Sequence, residues 1–203
     1  MIAEHPQSAD RDAERLAWAQ RQMNAAGLEL QRASVDAGFR SYWRAFDGDG
    51  GPSRIVMDSP PGLEDVRPWL KMRDLLEAGG VRVPQVLARD VEAGFLLLED
   101  LGGPTLAQLI DEDSADDWFG RCIGQLLKLQ AIAPPAEMGE FGEALLQRDA
   151  GLFEEWFLRR HLGLALDCDD SERLELVQRR LMDNALAQPR VLTHRDFMPR
   201  NLM

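Results

Sequence analysis

The sequence predicts an α+β fold: a five-stranded antiparallel lobe carrying one inserted helix, followed by a mainly helical lobe. Three observations carry this expectation. Strand-type segments, several of them rich in aromatic and β-branched residues, fall between residues 28 and 98. One amphipathic helical stripe interrupts them after the third segment. After Leu101-Gly102-Gly103-Pro104, where turn residues cluster, apolar residues recur at helical spacing instead. The expected division is 1–101, a strand-rich lobe, and 102–203, a mainly helical lobe.

The elements follow in order. Residues 10–26 read as a helix with Ala13, Leu16, Ala17 and Met23 on one face, and Gly27 ends it. Residues 28–35, 39–46 and 54–57 read as strands. The turns are Asp36-Ala37-Gly38 and Asp47-Gly48-Asp49-Gly50-Gly51-Pro52, so the three strands should form a meander. Residues 63–78 read as a helix with Val66, Trp69, Met72, Leu75 and Leu76 as its stripe, stopped by Gly79-Gly80. Strands are expected at 83–88 and 95–98. Helices are expected at 105–110, 116–130, 149–164 and 171–187, the second striped by Phe119, Ile123, Leu126, Leu127 and Gln130. Val191-Leu192-Thr193 reads as a last short strand leading into a polar loop.

Composition narrows the function classes. The 203 residues carry 23 Lys and Arg against 35 Asp and Glu, a net charge of -12. Nucleic-acid phosphates and anionic membranes call for clustered cations, so neither is an expected partner. Cys122 and Cys168 stand apart from each other and from zinc-like His spacing, so neither a disulfide framework nor a cysteine–histidine metal site is expected. The first residues, Met1-Ile2-Ala3-Glu4-His5-Pro6, lack the basic-then-apolar order of a leader. No apolar run approaches the roughly 18 residues of a membrane span. A cytoplasmic protein is the expectation.

The sharpest signal is His194-Arg195-Asp196-Phe197-Met198-Pro199-Arg200-Asn201, which reads H-R-D-x-x-x-x-N. Phosphoryl transfer needs a carboxylate to orient the attacking hydroxyl and accept its proton. It also needs an oxygen ligand for Mg²⁺ on the phosphate side. Asp196 and Asn201, five residues apart on one loop, can serve both points. His194 is expected to stabilise the loop.

The element order and this loop together resemble a protein-kinase-like fold. The helical segment between linker and loop resembles that of the aminoglycoside-phosphotransferase-like family. Within that family several stretches are similar to the bacterial N-acetylmuramate/N-acetylglucosamine anomeric kinases of cell-wall recycling. They are Phe39-Arg40-Ser41-Tyr42-Trp43-Arg44, Ile55-Val56-Met57-Asp58-Ser59-Pro60-Pro61, Leu97-Leu98-Glu99-Asp100-Leu101-Gly102, Leu152-Phe153-Glu154-Glu155-Trp156-Phe157 with Arg160-His161-Leu162-Gly163, and residues 191–203.

The resemblance implies ATP and Mg²⁺ as cofactors and a small-molecule amino sugar as substrate, phosphorylated at its anomeric hydroxyl. It places the adenine edge at the backbone of Glu99 to Leu101, and sugar contacts at Glu155, Trp156 and Arg160, although Trp156 also fits a core position. Two departures stand out. Met57 occupies the strand position where a phosphate-binding Lys is usual. Arg40 or Arg44 could supply that charge, or could simply line a solvated strand face. The sequence also stops at Met203, before the Asp that would follow the loop and hold the main Mg²⁺, so a truncated lobe is expected. Alternatives are an aminoglycoside or other small-alcohol kinase, and a non-catalytic nucleotide-binding module.

Overall fold

The computed structural model describes residues 8–34, 38–46 and 51–203. Most of the expected turns at 36–38 and 47–52, and the first seven residues, lie outside that range. The strands are β1 (Glu29–Ser34), β2 (Ser41–Phe46), β3 (Arg54–Asp58), β4 (Val86–Asp90) and β5 (Phe95–Glu99). They form one antiparallel sheet in the order β1-β2-β3-β5-β4. The first three make the expected meander, and β5 enters between β3 and β4. The helices of this half are α1 (Ser8–Met23) and α2 (Arg67–Ala78).

Alternation along the strands sorts the core into two layers. Trp43, Ala45, Val56, Phe95 and Leu97 pack with Trp18 and Ala19 of α1. Tyr42, Ile55, Met57, Leu96 and Leu98 pack with Val66, Trp69 and Leu70 at and within α2. A helix on each face explains why β5 reads Phe-Leu-Leu-Leu without alternation: both of its faces are buried.

The buried face of α1 differs from the expected one. Ala13 and Ala17 are exposed, while Arg15 is only 4% exposed beside Trp18 and Ala19. The cause is Asp58 at the end of β3, itself buried. Its Oδ1 accepts from Arg11 Nε and Nη2 at 3.0 and 2.8 Å, and its Oδ2 accepts from Arg15 Nη1 at 2.9 Å. Arg11 Nη2 also donates to Ala93 O at 2.6 Å. The guanidinium groups lie over Phe95 (3.9 Å) and Trp43 (3.7 Å). Long Arg stems and planar heads suit such half-apolar sites, so charge rather than an alanine stripe orients the helix.

Two turns fix the sheet's ends. Gly80, with φ +77°, follows α2 as a helix stop. Gly94, with φ +74°, turns β4 into β5, and an added Cβ would lie 1.9 Å from Ser59 O. No other residue fits there.

After the linker come α3 (Leu106–Leu109), α4 (Ala115–Gln130), α5 (Glu143–Leu152), a π-helix (Phe153–His161) that continues α5, α6 (Cys168–Leu186), and a 3₁₀ turn at Pro199–Asn201. The chain divides into two compact units, residues 1–132 with 193–203, and residues 133–192. Thus α3, α4 and the polar loop group with the sheet. In α4 only Leu129 is buried; Phe119, Ile123 and Leu127 of the expected stripe are exposed.

The segment Val191-Leu192-Thr193 joins no β-ladder, against expectation. An apolar triplet becomes a strand only when a neighbour pairs its backbone, and the five strands pair among themselves. In the second unit, the helix expected at 149–164 begins at Glu143 and changes to i→i+5 geometry at Phe153. Asp167 caps α6, its carboxylate accepting from Asp170 N at 2.8 Å. Among the described residues, no helix is long and apolar enough to cross a membrane.

Candidate active site

The loop at 194–201 is held by its own polar groups. Asn201 Nδ2 donates to Asp196 Oδ2 at 2.7 Å and to Asp196 O at 3.0 Å. With its NH₂ on the Asp196 carboxylate, the Asn201 amide keeps its Oδ1 out of that hydrogen bond. Asp196 N donates to His194 Nδ1 at 3.3 Å, and the His194 ring meets Phe197 edge-on at 5.6 Å. The imidazole thereby braces the loop backbone. Arg195 adopts φ +69°, a left-handed conformation unusual for a residue with a side chain. The 3₁₀ turn closes with Asn201 N donating to Met198 O at 2.9 Å, and Leu106 N donates to Leu202 O at 2.8 Å, tying the loop to α3.

A second polar node lies where β5 meets the linker. The Asp100 carboxylate accepts from Arg44 Nε (2.6 Å) and Ser53 Oγ (2.6 Å) on Oδ2, and from Arg44 Nη2 (3.1 Å) and Gly102 N (2.9 Å) on Oδ1. Arg44 Nη2 also donates to Gly102 O at 3.1 Å. Gly102 is therefore gripped at both its N–H and its C=O, with φ +86°. Burial alone would push the Asp100 carboxyl up, but Arg44, Ser53 and the Gly102 amide together hold it below the usual carboxylate range. Its hydrogen bond to Asp100 likewise raises the Arg44 guanidinium.

On the opposite side of the linker Glu99 takes both terminal nitrogens of Arg82, at 2.9 and 2.6 Å, and accepts from Gln85 N at 3.2 Å. Arg82 first, then the Gln85 amide, lowers the Glu99 carboxyl. The linker backbone at 99–102 is thus pinned on two sides, and Leu101 stands exposed between them.

Met57 is completely buried among Val66, Leu70 and Leu96, so the usual Lys position is core. Arg40 lies elsewhere on β2's approach, with Nε 3.1 Å from Glu64 Oε1.

In the second unit, Glu155, Trp156 and Arg160 come together on the π-helix. Arg160 Nε donates to Glu155 Oε1 at 2.8 Å, and its guanidinium lies 4.1 Å from the Trp156 ring centre. The neighbouring pair repeats the spacing, with Arg159 Nη2 donating to Glu154 Oε1 at 2.6 Å. The backbone bonds run i→i+5 here, so side chains at i and i+5 lie together as those at i and i+4 do on an α-helix.

Asp196 and Asn201 lie on the expected loop and Arg44 on the expected strand, whereas Arg40, expected inside a strand at 39–46, stands just before β2. Sequence reasoning missed Glu64 and the Asp100–Ser53 node, because their partners are distant in sequence. It also missed the π-helix, whose signal was present as Glu154/Arg159 and Glu155/Arg160.

A five-stranded antiparallel sheet with one helix on each face, a pinned linker and an Asp–Asn loop make up a kinase-like fold. Residues 29–203 match the sequence profile of APH, the phosphotransferase enzyme family, and the chain belongs to that family. It is 44% identical over 175 residues to an N-acetylmuramate/N-acetylglucosamine kinase of Pseudomonas aeruginosa, covering 86% of this chain and 51% of that protein. The kinase of the same name from Pseudomonas putida is 45% identical over 174 residues, with the same coverage. That from Neisseria meningitidis is 35% identical over 190 residues, 92% of this chain and 56% of that protein. The chain thus spans about half the length of the curated relatives it matches. A Plasmodium vivax ethanolamine kinase shares the fold, with a TM-score of 0.59 at 14% identity over 98% of this chain and 60% of that one.

Proposed function

We propose that this chain is the ATP-binding and catalytic-loop portion of an amino-sugar kinase. It would transfer the γ-phosphoryl group of ATP to the anomeric hydroxyl of N-acetylmuramate or N-acetylglucosamine. The observation that carries this reading is the Asp196–Asn201 pair, joined at 2.7 Å on a braced loop, in a chain whose relatives are named for that activity.

Asp196 is the proposed base. It orients the acceptor hydroxyl and takes its proton as that oxygen bonds to the γ-phosphorus and ADP leaves. Asn201 would offer Oδ1 to Mg²⁺, which neutralises phosphate charge when bound. Among the described residues no cluster of three His, Cys, Asp or Glu side chains could hold a metal. Mg²⁺ takes few protein ligands and completes its shell with phosphates and water. The backbone of Glu99 to Leu101 is the proposed adenine edge, and Arg44 and Asp100 keep it pre-formed. Glu155, Trp156 and Arg160 are proposed for the sugar: an apolar ring face to stack on, beside charged groups for hydroxyls. A cytoplasmic location suits this substrate and donor.

Asp196→Asn tests the reading. It removes the base while keeping size, so turnover should fall by about 10²–10⁴-fold with little change in the Michaelis constant for ATP. The product should be a 1-phosphate without a reducing end. A 6-phosphate would remove the anomeric assignment, and full activity of Asp196→Asn would remove the proposed base.

A further inference from the structure

With Met57 buried in the core, the nucleotide lobe needs a phosphate cation from another position. The inner, α2-covered face of the sheet offers two candidates. Register puts Tyr42 opposite Met57 and Arg44 opposite Ile55. Even-numbered residues of β2 therefore share that face, and Arg40 precedes Tyr42 by two. Arg44 is bound on Nε and Nη2 to Asp100 and Gly102, facing the linker.

Arg40 is held differently. Its Nε sits 3.1 Å from Glu64 Oε1, within ion-pair distance, yet among the described residues it is buried without a hydrogen-bond partner. An unmet donor on a charged group is costly, and native proteins rarely keep one without use. The side chains of Arg40 and Glu64 are 28% and 33% exposed, so solvent, or a ligand, reaches the pair. Two strand residues span roughly 6.6 Å. An Arg side chain reaches about as far, six bonds from Cα. A cation at Arg40 can therefore cover the ground that a Lys at 57 would. Glu64 is itself fixed: Ser59 Oγ donates to Glu64 O at 2.9 Å, and Glu64 N donates to Pro60 O at 3.0 Å.

We infer that Arg40 is the cation that contacts the nucleotide's phosphates, and that Glu64 orients it. The arrangement puts a cation just before β2 and its carboxylate partner on the β3–α2 connection. The inference rests on the nucleotide reading above. It adds to that reading the phosphate ligand and its positioning residue.

Equilibrium binding of ATP and of adenosine separates the two. Arg40→Gln should weaken ATP roughly 10- to 100-fold, the range for a charge-assisted contact, and leave adenosine unchanged. Arg40→Lys should recover part of the loss. Glu64→Gln should weaken ATP by less than Arg40→Gln, and again spare adenosine. It also carries the test if Arg40→Gln fails to fold. Unchanged ATP binding in Arg40→Gln and Glu64→Gln, or parallel loss of ATP and adenosine, overturns the assignment while the nucleotide site stands. A wild-type protein that binds neither compound overturns both.

Discussion

The sheet and the helices at 143–186 are held by different means. Most residues of β3 and β5 are buried, whereas α5, the π-helix and α6 bury none. Ion pairs show a related contrast. Around the sheet several join distant residues, as in Arg11–Asp58, Arg44–Asp100 and Arg82–Glu99. In the second unit most are local, as in Glu154–Arg159, Glu155–Arg160 and Glu175–Arg179, with Arg190–Glu140 the long-range exception among the described residues. Two helices cannot enclose each other's apolar faces, so Phe153, Trp156, Phe157 and Leu181 stay exposed there. The lesson is that regular helix does not imply a core. Tertiary burial stabilises the sheet, while local turns shape the helical unit.

The strongest way to break this comparison is at Asp58. Asp58→Ala leaves two guanidinium groups at a buried site without their carboxylate, and should cost about 3–5 kcal/mol. Denaturant titration checks it, and a loss under about 1 kcal/mol would mean that α1 does not depend on the pair.

Next comes a matched pair of truncations. Leu96 is fully buried, and Leu96→Ala should cost about 2–5 kcal/mol. Leu181 is 67% exposed, and Leu181→Ala should stay within about 0.5 kcal/mol. Similar losses at the two positions would dissolve the distinction between the units.

The smallest effect concerns pH. The folded Asp100 carboxyl is held below its ordinary value, near 3.9 when unfolded. Its contribution is therefore complete above that value and lost as pH falls through the lowered one. Exchange protection of the Gly102 amide should hold from pH 8 to 5 and weaken only in the acid range below about 4. Asp100→Asn should abolish that acid dependence. An unchanged acid limb in the variant would assign the titration elsewhere.

Much of the sheet was legible. Aromatic and aliphatic runs placed β2, β3 and β5 within two residues, because strands covered on both faces must be apolar. Gly79-Gly80 marked the end of α2 because only glycine takes Gly80's backbone cheaply. The entry of β5 between β3 and β4 was not legible, since local composition carries no strand order. Nor was the face of α1, because a stripe of alanines and a leucine looks more apolar than Arg11 and Arg15, whose burial depends on Asp58 over forty residues away.

The loop motif was legible because its spacing is local, and the structure brings Asp196 and Asn201 together at 2.7 Å. Its setting was less accessible: the expected strand at 191–193 needed a partner that sequence could not name. Glu64 and Asp100 acquire their roles only once the chain brings them beside Arg40 and Arg44.

The left-handed backbone at Arg195 also constrains how this position can drift over generations. At φ +69° a β-branched residue is strongly disfavoured, whereas asparagine, aspartate and above all glycine are accommodated. Arginine and glycine codons can differ by a single base, so the exchange between them needs no passage through a disfavoured intermediate. Position 195 is in that sense a narrow gate with one short path through it. Variation among descendants of this gene should collect on the few side chains that the backbone admits.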